Sequence, residues 1–424
     1  MYARATLSNG VRILTSTVPS VRSVSIGFFF GVGSRYETTL QSGVSHFIEH
    51  MLFKGSARFP TARVISESIE GVGGILDAAT DKELTVYSAK IASTQFELAF
   101  GVLADMVRHP LLDPAELEKE RRVIIEELNM YRDSPQEWVG VIGDETVWPN
   151  DLSLGREVAG TRETVSGITR DEMEAYRTSH YVPGNLVLGV VGNVDHDRIV
   201  AAAERLLGDW EHRPVPLWTP CPRPLDVPRV RVEYRETEQT NLCLYAGGLS
   251  HKDPDNYALS LLNAILGDGM ASRLFLEVRE QQGLAYDISS SPINYHDTGA
   301  FVIGAGVEPS RTVAALQAVF GELRRLRDEP VADDELTRAR EYTKGRLALR
   351  LEDTSSIASW LGAQEVILGE VHELDEIMAR YDAVNASDVQ RLARTLFTSD
   401  QLRLAIIGPQ KDPAQLDQIM HVES

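Results

Sequence analysis

Two histidines and a glutamate stand close together near the start of the chain, in the segment HFIEH (46–50). On a helix, His46 and His50 lie one turn apart and project from one face, and Glu49 can reach the same patch. Two neutral imidazoles at this spacing suit a tetrahedral Zn²⁺ ion, and a carboxylate beside them can take a proton from water activated by the metal. The spacing therefore predicts a catalytic zinc site.

A catalytic zinc ion normally has three protein ligands, so the third ligand must come from another element. Residues 114–132 are predicted to form a helix that begins at Pro114, a favoured first helical residue. Glu120 and Glu127 are seven residues apart in this helix and therefore share one face. The neighbouring Glu126 is an equal candidate, because spacing alone does not decide between Glu126 and Glu127.

Composition and charge narrow the class of protein. The chain has 424 residues, of which 43% are hydrophobic and 25% charged, which is typical of a soluble globular protein with two or three domains. A formal net charge of −20 argues against nucleic acid as a partner. The charge would suit basic peptides, although solubility alone explains it more simply. Cys221 and Cys243 are the only cysteines, too few for a thiolate metal site. Without a long apolar run or a signal region, we expect no membrane span and a cytoplasmic location.

Six prolines crowd the middle of the chain, between Trp210 and Pro228. Such a run is incompatible with a helix or a central strand, and it predicts a semi-rigid extended linker. We therefore expect a first, zinc-binding domain at residues 1–210, the linker at 211–228 and a second domain at 229–424.

The two predicted domains resemble diverged copies of each other. Matching segments recur in the same order: FGVL (100–103) with FGEL (320–323), and LVLGVVG (186–192) with LRLAIIG (402–408). Repeats of this kind predict two tandem domains of one fold. The second copy has Ala339 and Arg346 where the first has its paired glutamates, so we expect only the first domain to bind metal.

The layout of motifs along essentially the whole chain resembles the pitrilysin and insulysin family of zinc peptidases, most closely its mitochondrial-processing-peptidase-like branch. The motifs that carry the resemblance are GVGSRYE (31–37), GVSHFIEHMLFKG (43–55), GGILDAAT (73–80), ERRVIIEEL (120–128) and LGDGMASRLFLEVREQQGLAY (266–286). The order His-x-x-Glu-His is the inverzincin signature. The resemblance implies an α+β fold of two tandem homologous domains, each a mostly antiparallel sheet covered by helices.

The resemblance also implies roles for the residues near the metal. The third ligand of the family falls on Glu127, which completes a Zn²⁺ triad with His46 and His50. Glu120 then becomes a residue that orients a ligand histidine, and Glu49 becomes the general base.

Residues outside the metal triad are implied to hold the substrate. The family uses an arginine and a tyrosine of the metal-free domain, which fall on Arg279 and Tyr286, to position the peptide and stabilise the oxyanion. Segment 73–80 resembles the edge strand to which an extended peptide adds through main-chain hydrogen bonds. Asp77 and Ala78 stand where the family usually has Asn-Ala. Because a carboxylate cannot donate a hydrogen bond, we hypothesise that Asp77 instead favours basic or N-terminally charged peptides.

Together with the metal residues, the resemblance implies a zinc endopeptidase that cleaves peptides or unfolded segments inside a dimeric chamber. A homodimer is the simpler expectation because the chain has both the zinc residues and the Arg279/Tyr286 pair, although a heterodimer with an inactive partner stays open. The alternative function is a non-catalytic structural or assembly subunit of the same fold, and a smaller alternative is a non-proteolytic zinc hydrolase. The complete set of metal and base residues favours the peptidase.

Overall fold

The structure of the protein is a computed structural model that describes residues 2–149, 152–221 and 228–423. Within the predicted linker, residues 211–221 contain no helix or strand, while Pro222 and Pro224 lie outside the described residues. In the described part of the chain, no helix combines the length and the apolar character needed to cross a membrane.

Strands and α-helices follow one another along the chain without a regular alternation. The strands are β1 (Ala3–Thr6), β2 (Arg12–Thr17), β3 (Ser23–Phe30), β4 (Ile75–Thr80), β5 (Thr85–Ala92), β6 (Leu186–Gly192), β7 (Val230–Tyr234), β8 (Thr240–Gly247), β9 (Ala285–Asn294), β10 (Gly299–Val307) and β11 (Arg403–Gly408). The α-helices are α1 (Val44–Leu52), α2 (Ala62–Glu70), α3 (Phe96–Arg108), α4 (Pro114–Asp133), α5 (Pro135–Val147), α6 (Arg162–Gly167), α7 (Arg170–His180), α8 (His196–Leu207), α9 (Asn256–Leu266), α10 (Thr312–Asp328), α11 (Asp333–Arg350), α12 (Thr354–Ile367), α13 (Leu374–Ala383), α14 (Ala386–Leu396) and α15 (Pro413–Gln418). A π-helical segment, Phe275–Gln281, precedes β9.

These elements pack into two compact units, and each unit takes segments from both halves of the chain. Unit 1 consists of Met1–Asn129, Arg156–Thr219 and Ala348–His372, and unit 2 consists of Met130–Gly155, Pro220–Leu347 and Glu373–Ser424. The predicted α+β fold class, with two domains of sheet covered by helices, is confirmed. The domain boundaries expected from the sequence, 1–210 and 229–424, stay a prediction.

The sheet of unit 1 has both faces covered. Among the described residues its strand order is β1-β2-β6-β3-β5-β4, with β2 and β6 parallel and the other pairs antiparallel. The central strands β3 and β6 are almost continuously apolar, as expected for strands buried on both faces. Helix α12 packs on one face so closely that a Cβ on Gly362 would lie 2.3 Å from the Phe29 ring. The opposite face carries the main core, which includes α1 and α3.

The sheet of unit 2 repeats this arrangement. The order of its described strands is β7-β11-β8-β10-β9, and β7 and β11 form the parallel pair. Helix α5 packs on β8 and β11, as α12 packs on β3 and β6 in unit 1. The other face is covered by helices that include α9, α10 and α14. The two sheets therefore have the same topology, except that β1 has no counterpart among the described strands of unit 2.

One buried carboxylate links α12 to β1 and β2 in unit 1. The Glu365 side chain is 1% exposed, and its Oε1 lies 2.8 Å from Arg4 and 3.2 Å from Arg12. We expect Glu365→Gln to lower the free energy of unfolding by about 2 kcal/mol, because a neutral amide does not compensate two guanidinium groups. Denaturant unfolding followed by circular dichroism measures this loss.

The matched control is Glu352→Gln, which changes an exposed carboxylate in the same 348–372 segment. This control is expected to shift the free energy of unfolding by less than about 0.5 kcal/mol. Equal losses in the two variants would contradict the role of Glu365.

Candidate metal centre

Helix α1 starts at a sharply defined point. Gly43, its N-terminal capping residue, has a φ of +93°, and a Cβ there would lie 2.6 Å from the carbonyl oxygen of Ala159. The carboxylate of Glu37 accepts hydrogen bonds from the N–H groups of Gly43 and Ser45, both at 2.8 Å, and so satisfies donors that a helix start leaves unpaired. Burial raises the pKa of Glu37 to about 7, although these hydrogen bonds oppose the rise. Together these contacts fix where α1 begins.

The two faces of α1 have different surroundings. Its apolar side chains are buried in the core of unit 1: Val44, Phe47, Ile48, Met51 and Leu52. His46, Glu49 and His50 share the remaining face and are half-buried. The helical spacing seen in the sequence thus places all three polar side chains on one surface.

Helix α4 supplies the carboxylates. Leu117, Glu120 and Ile124 form its buried stripe, and Glu127 continues that stripe one turn later. Glu127 is half-buried, whereas Glu126 is exposed and accepts a hydrogen bond from Asn129. The structure therefore brings Glu127, and not Glu126, to the histidines.

Three ligand atoms meet in unit 1. The Nε2 atoms of His46 and His50 are 3.2 Å apart, and Glu127 Oε2 lies 3.9 Å from the first and 3.7 Å from the second. Tetrahedral coordination with Zn–ligand bonds of about 2.1 Å requires ligand atoms roughly 3.4 Å apart. The three residues therefore fit a zinc ion with one open coordination position, and they are the group within the described residues that could hold a metal.

Glu120 sets the orientation of His50. Its Oε1 lies 3.0 Å from His50 Nδ1, and its Oε2 lies 2.6 Å from Lys54 Nζ. Burial alone would raise the pKa of Glu120, but the hydrogen bonds from His50 and Lys54 outweigh burial and lower it. Because an ionised carboxylate only accepts, His50 Nδ1 must donate, which leaves the Nε2 lone pair available to a metal.

Burial shifts the pKa values of the other two polar groups of α1, His46 and Glu49. It lowers the pKa of His46 to about 4, with a further contribution from His50, so the imidazole stays in the neutral form that binds metal. Burial raises the pKa of Glu49, and a hydrogen bond donated by the Thr80 hydroxyl opposes the rise. A carboxyl with a raised pKa is better matched to general-base work near neutral pH. The Nδ1 atom of His46 is buried with no hydrogen-bond partner among the described residues.

Asp77 and Ala78 lie on β4, at an edge of the sheet of unit 1. Asp77 is exposed, and its Oδ1 accepts a hydrogen bond from the N–H of Ala78 at 2.9 Å. Strand β4 pairs with β5, and a turn that starts at Asp81 joins the two strands. The substrate roles of Asp77 and Ala78 stay predictions.

Arg279 and Tyr286 belong to unit 2. Arg279 is exposed in the π-helical segment, where its guanidinium lies 4.6 Å from the centre of the Phe275 ring. Tyr286 is 60% exposed on β9, the strand at one end of the described sheet of this unit. Both side chains are thus accessible, and their roles toward a substrate stay predictions.

Sequence reasoning missed three residues that support the site: Glu37, Lys54 and Thr80. Lys54 follows His50 by four residues, a helical spacing that places both side chains on one side. The sequence could therefore have indicated that Lys54 contacts the same carboxylate as His50, that of Glu120. Thr80 and Glu37 meet α1 only through the folding of separate segments. No spacing rule within one element could have found these two contacts.

Comparisons with known proteins find relatives along nearly the whole chain. The family model "Insulinase (Peptidase family M16)" matches residues 12–161, and "Peptidase M16 inactive domain" matches residues 167–342. The uncharacterized zinc protease YmxG of Bacillus subtilis is 39% identical over 409 residues, which covers 96% of this chain and 98% of that protein. An uncharacterized zinc protease of Streptomyces coelicolor is 38% identical over 420 residues, covering 96% and 90%. The crystal structure of a protease from Helicobacter pylori shares the fold, with a TM-score of 0.90 at 21% identity over 96% of this chain and 99% of that one.

The neighbouring glutamates of α4 provide a direct test of the ligand set. We expect Glu127→Gln to lose stoichiometric zinc and Glu126→Gln to keep it, because only the Glu127 carboxylate reaches the histidines. Metal content after dialysis against limiting zinc, measured by mass spectrometry, distinguishes the two variants.

The Glu120→Gln variant is expected to have a zinc affinity between those of the Glu126→Gln and Glu127→Gln variants. It is expected to weaken zinc binding roughly 10–100-fold without abolishing it, because Glu120 orients a ligand rather than binding the metal. If Glu126→Gln lost zinc while Glu127→Gln retained it, the assignment of the third ligand would be wrong.

Proposed function

Because the chain belongs to the insulinase family of peptidases, family M16, we propose that it is a zinc-dependent endopeptidase that cleaves peptides or unfolded segments. The observation that carries this proposal is the meeting of His46, His50 and Glu127, with Glu49 on the same helix face. Zn²⁺ as the cofactor agrees with the name zinc protease given to the bacterial relatives, and we assign it to this site. Membership of the mitochondrial-processing-peptidase-like branch stays a prediction.

Glu49 is the proposed general base. Zinc, when bound, supplies Lewis acidity that makes water a competent nucleophile near neutral pH. Glu49 takes the proton of that water as it attacks the scissile carbonyl, and then passes the proton to the leaving amine. Thr80 holds one carboxylate oxygen of Glu49, which keeps the other oxygen available for the water. Glu120 meanwhile keeps the ring of His50 in its ligating orientation.

The edge of β4 is the proposed peptide-binding strand. Thr80 lies on this strand and contacts Glu49, so the strand runs beside the catalytic face of α1. A peptide that adds to the edge at Ala78, beside Asp77, gains main-chain hydrogen bonds that do not depend on its sequence. This mode suits a peptidase that accepts extended segments, and we propose basic peptides among its substrates.

Unit 2 is proposed to contribute Arg279 and Tyr286. The phenol of Tyr286 can donate a hydrogen bond to the carbonyl oxygen that becomes negative during attack, and the guanidinium of Arg279 can hold a peptide carbonyl or carboxylate. Their exposure supports this role, since neither side chain is buried in the core of its own unit.

We also propose that the active form is a homodimer enclosing a chamber. A single type of chain carries the zinc residues, the base and the Arg279/Tyr286 pair, so no inactive partner is needed to complete the set. A heterodimer would instead require a second chain that supplies a missing group.

Glu49→Gln separates metal binding from chemistry. The amide has the shape of the carboxylate but cannot accept the proton, so we expect zinc content to equal that of the parent chain and turnover to fall by about 10²–10⁴-fold or more. The measurement is zinc content together with cleavage of a quenched fluorescent basic peptide.

The control is Glu70→Gln, an exposed carboxylate at the end of α2 in the same unit, which should change neither quantity. Retained cleavage by Glu49→Gln would remove Glu49 as the base. A parent chain that neither binds zinc nor cleaves any peptide would instead favour the structural subunit.

Tyr286→Phe tests the contribution of unit 2. Loss of one hydrogen-bond donor to the oxyanion is expected to lower kcat roughly 10²-fold while KM changes little. Steady-state kinetics on the same peptide provide both parameters.

Tyr234→Phe is the matched control, because Tyr234 is also an exposed tyrosine on a strand of unit 2, 45% exposed on β7. It is expected to keep the parent kcat. A Tyr286→Phe enzyme with parental kcat would show that Tyr286 has no part in the reaction.

A further inference from the structure

The outer edge of β4 has a defined pattern of main-chain groups. The turn to β5 is closed by the N–H of Asp81, which donates to the carbonyl of Leu84 at 2.8 Å. In an antiparallel pair, hydrogen-bonded and non-hydrogen-bonded residues alternate, so Ala79 and Asp77 direct their main-chain groups toward β5. The N–H and C=O of Ala78 therefore point to the free edge, beyond which no strand lies in the described part of the chain.

Asp77 already occupies the donor at this position. Its exposed carboxylate accepts the N–H of Ala78 at 2.9 Å, across the edge where a peptide would have to bind. A charge that covers an edge strand is a known way in which proteins prevent another strand from adding. A peptide that pairs with Ala78 must therefore first displace the Asp77 carboxylate.

Displacement has different consequences for neutral and basic peptides. A neutral peptide exchanges one hydrogen bond for another and leaves the Asp77 carboxylate without its N–H partner. A peptide with a cation opposite or diagonal to Asp77 brings that cation to within reach of the released carboxylate, because side chains on one face of paired strands are neighbours. The basic peptide thus replaces the interaction that the carboxylate loses.

We propose that Asp77 is a selectivity latch: it blocks the Ala78 N–H in the free protein and is released by a lysine or arginine of an extended peptide. This inference rests on the proposed function, since it assigns β4 as the peptide-binding edge.

The test is peptide binding to Glu49→Gln chains, in which bound peptide is not consumed. The probes are a fluorescein-labelled neutral extended peptide and its variants with one lysine at each position in turn, and fluorescence anisotropy measures each Kd. In this background a lysine at one position is expected to tighten binding several-fold. Adding Asp77→Ala should tighten the neutral peptide roughly five-fold, the equivalent of one freed hydrogen bond, and remove the lysine preference.

Two further variants separate the hydrogen bond from the charge. Asp77→Asn keeps an acceptor oxygen but no charge, so the lysine preference should disappear while the neutral peptide gains less than in Asp77→Ala. Asp81→Ala is the matched control. Asp81 is an exposed aspartate whose Oδ1 accepts the next N–H in the chain, that of Lys82, at 2.7 Å, but it lies in the turn and not on the strand. This control should change neither the Kd nor the preference.

Three results would overturn the latch: no binding of any peptide, unchanged or weaker binding of the neutral peptide in Asp77→Ala, or a lysine preference that persists in that variant. Cleavage by chains that keep Glu49 is measured separately. Absent cleavage with the expected binding pattern would remove the endopeptidase function and leave the latch standing, whereas cleavage without that pattern would remove only the latch.

Discussion

The contact between helix α1 and helix α4 is the constraint on which the site depends. It brings two imidazoles and a carboxylate to within 3.2–3.9 Å of one another in a half-buried position. Metal-ligand atoms held this close together and partly removed from water are costly unless they are paired. A cation at the centre would offset this cost by binding the ligand atoms, so metal binding and the packing of the two helices would support each other.

Unit 2 shows which kind of residue the fold accepts at the position of Glu120 when no metal ligand has to be oriented. By the sequence offset, Ala339 of α11 stands where α4 has Glu120, and the two positions are equally buried, at 5% and 6% exposed. A small apolar residue therefore satisfies the packing at this place. The carboxylate of Glu120 is explained by its hydrogen bonds to His50 and Lys54 and not by the requirements of the core.

The edge strand β4 connects the site to its proposed substrates. One end of the strand holds the base through Thr80, while the free edge at Ala78 is covered by Asp77. Strand addition is largely independent of sequence, because it uses main-chain groups. A carboxylate on the edge adds a dependence on charge that the main chain cannot supply. The contact to the proposed base and the proposed recognition edge thus lie on one short strand.

Local patterns in the sequence predicted much of this protein. The i, i+4 histidines, the seven-residue spacing of Glu120 and Glu127 and the repeated segments predicted the metal site, the helix that completes it and two tandem domains of one fold, because each pattern lies within one element or recurs along the chain. The α+β class was implied by the family resemblance. Family membership, implied by five motifs, is confirmed by the family models.

The tertiary structure alone decided the rest. It selected Glu127 over Glu126, joined Thr80 to Glu49 and Glu37 to the start of α1, and placed α12 of the second half in unit 1. These contacts join residues from different elements, some of them far apart in the chain. Their distances depend on how helices and strands pack, and no periodicity within a single element records that packing.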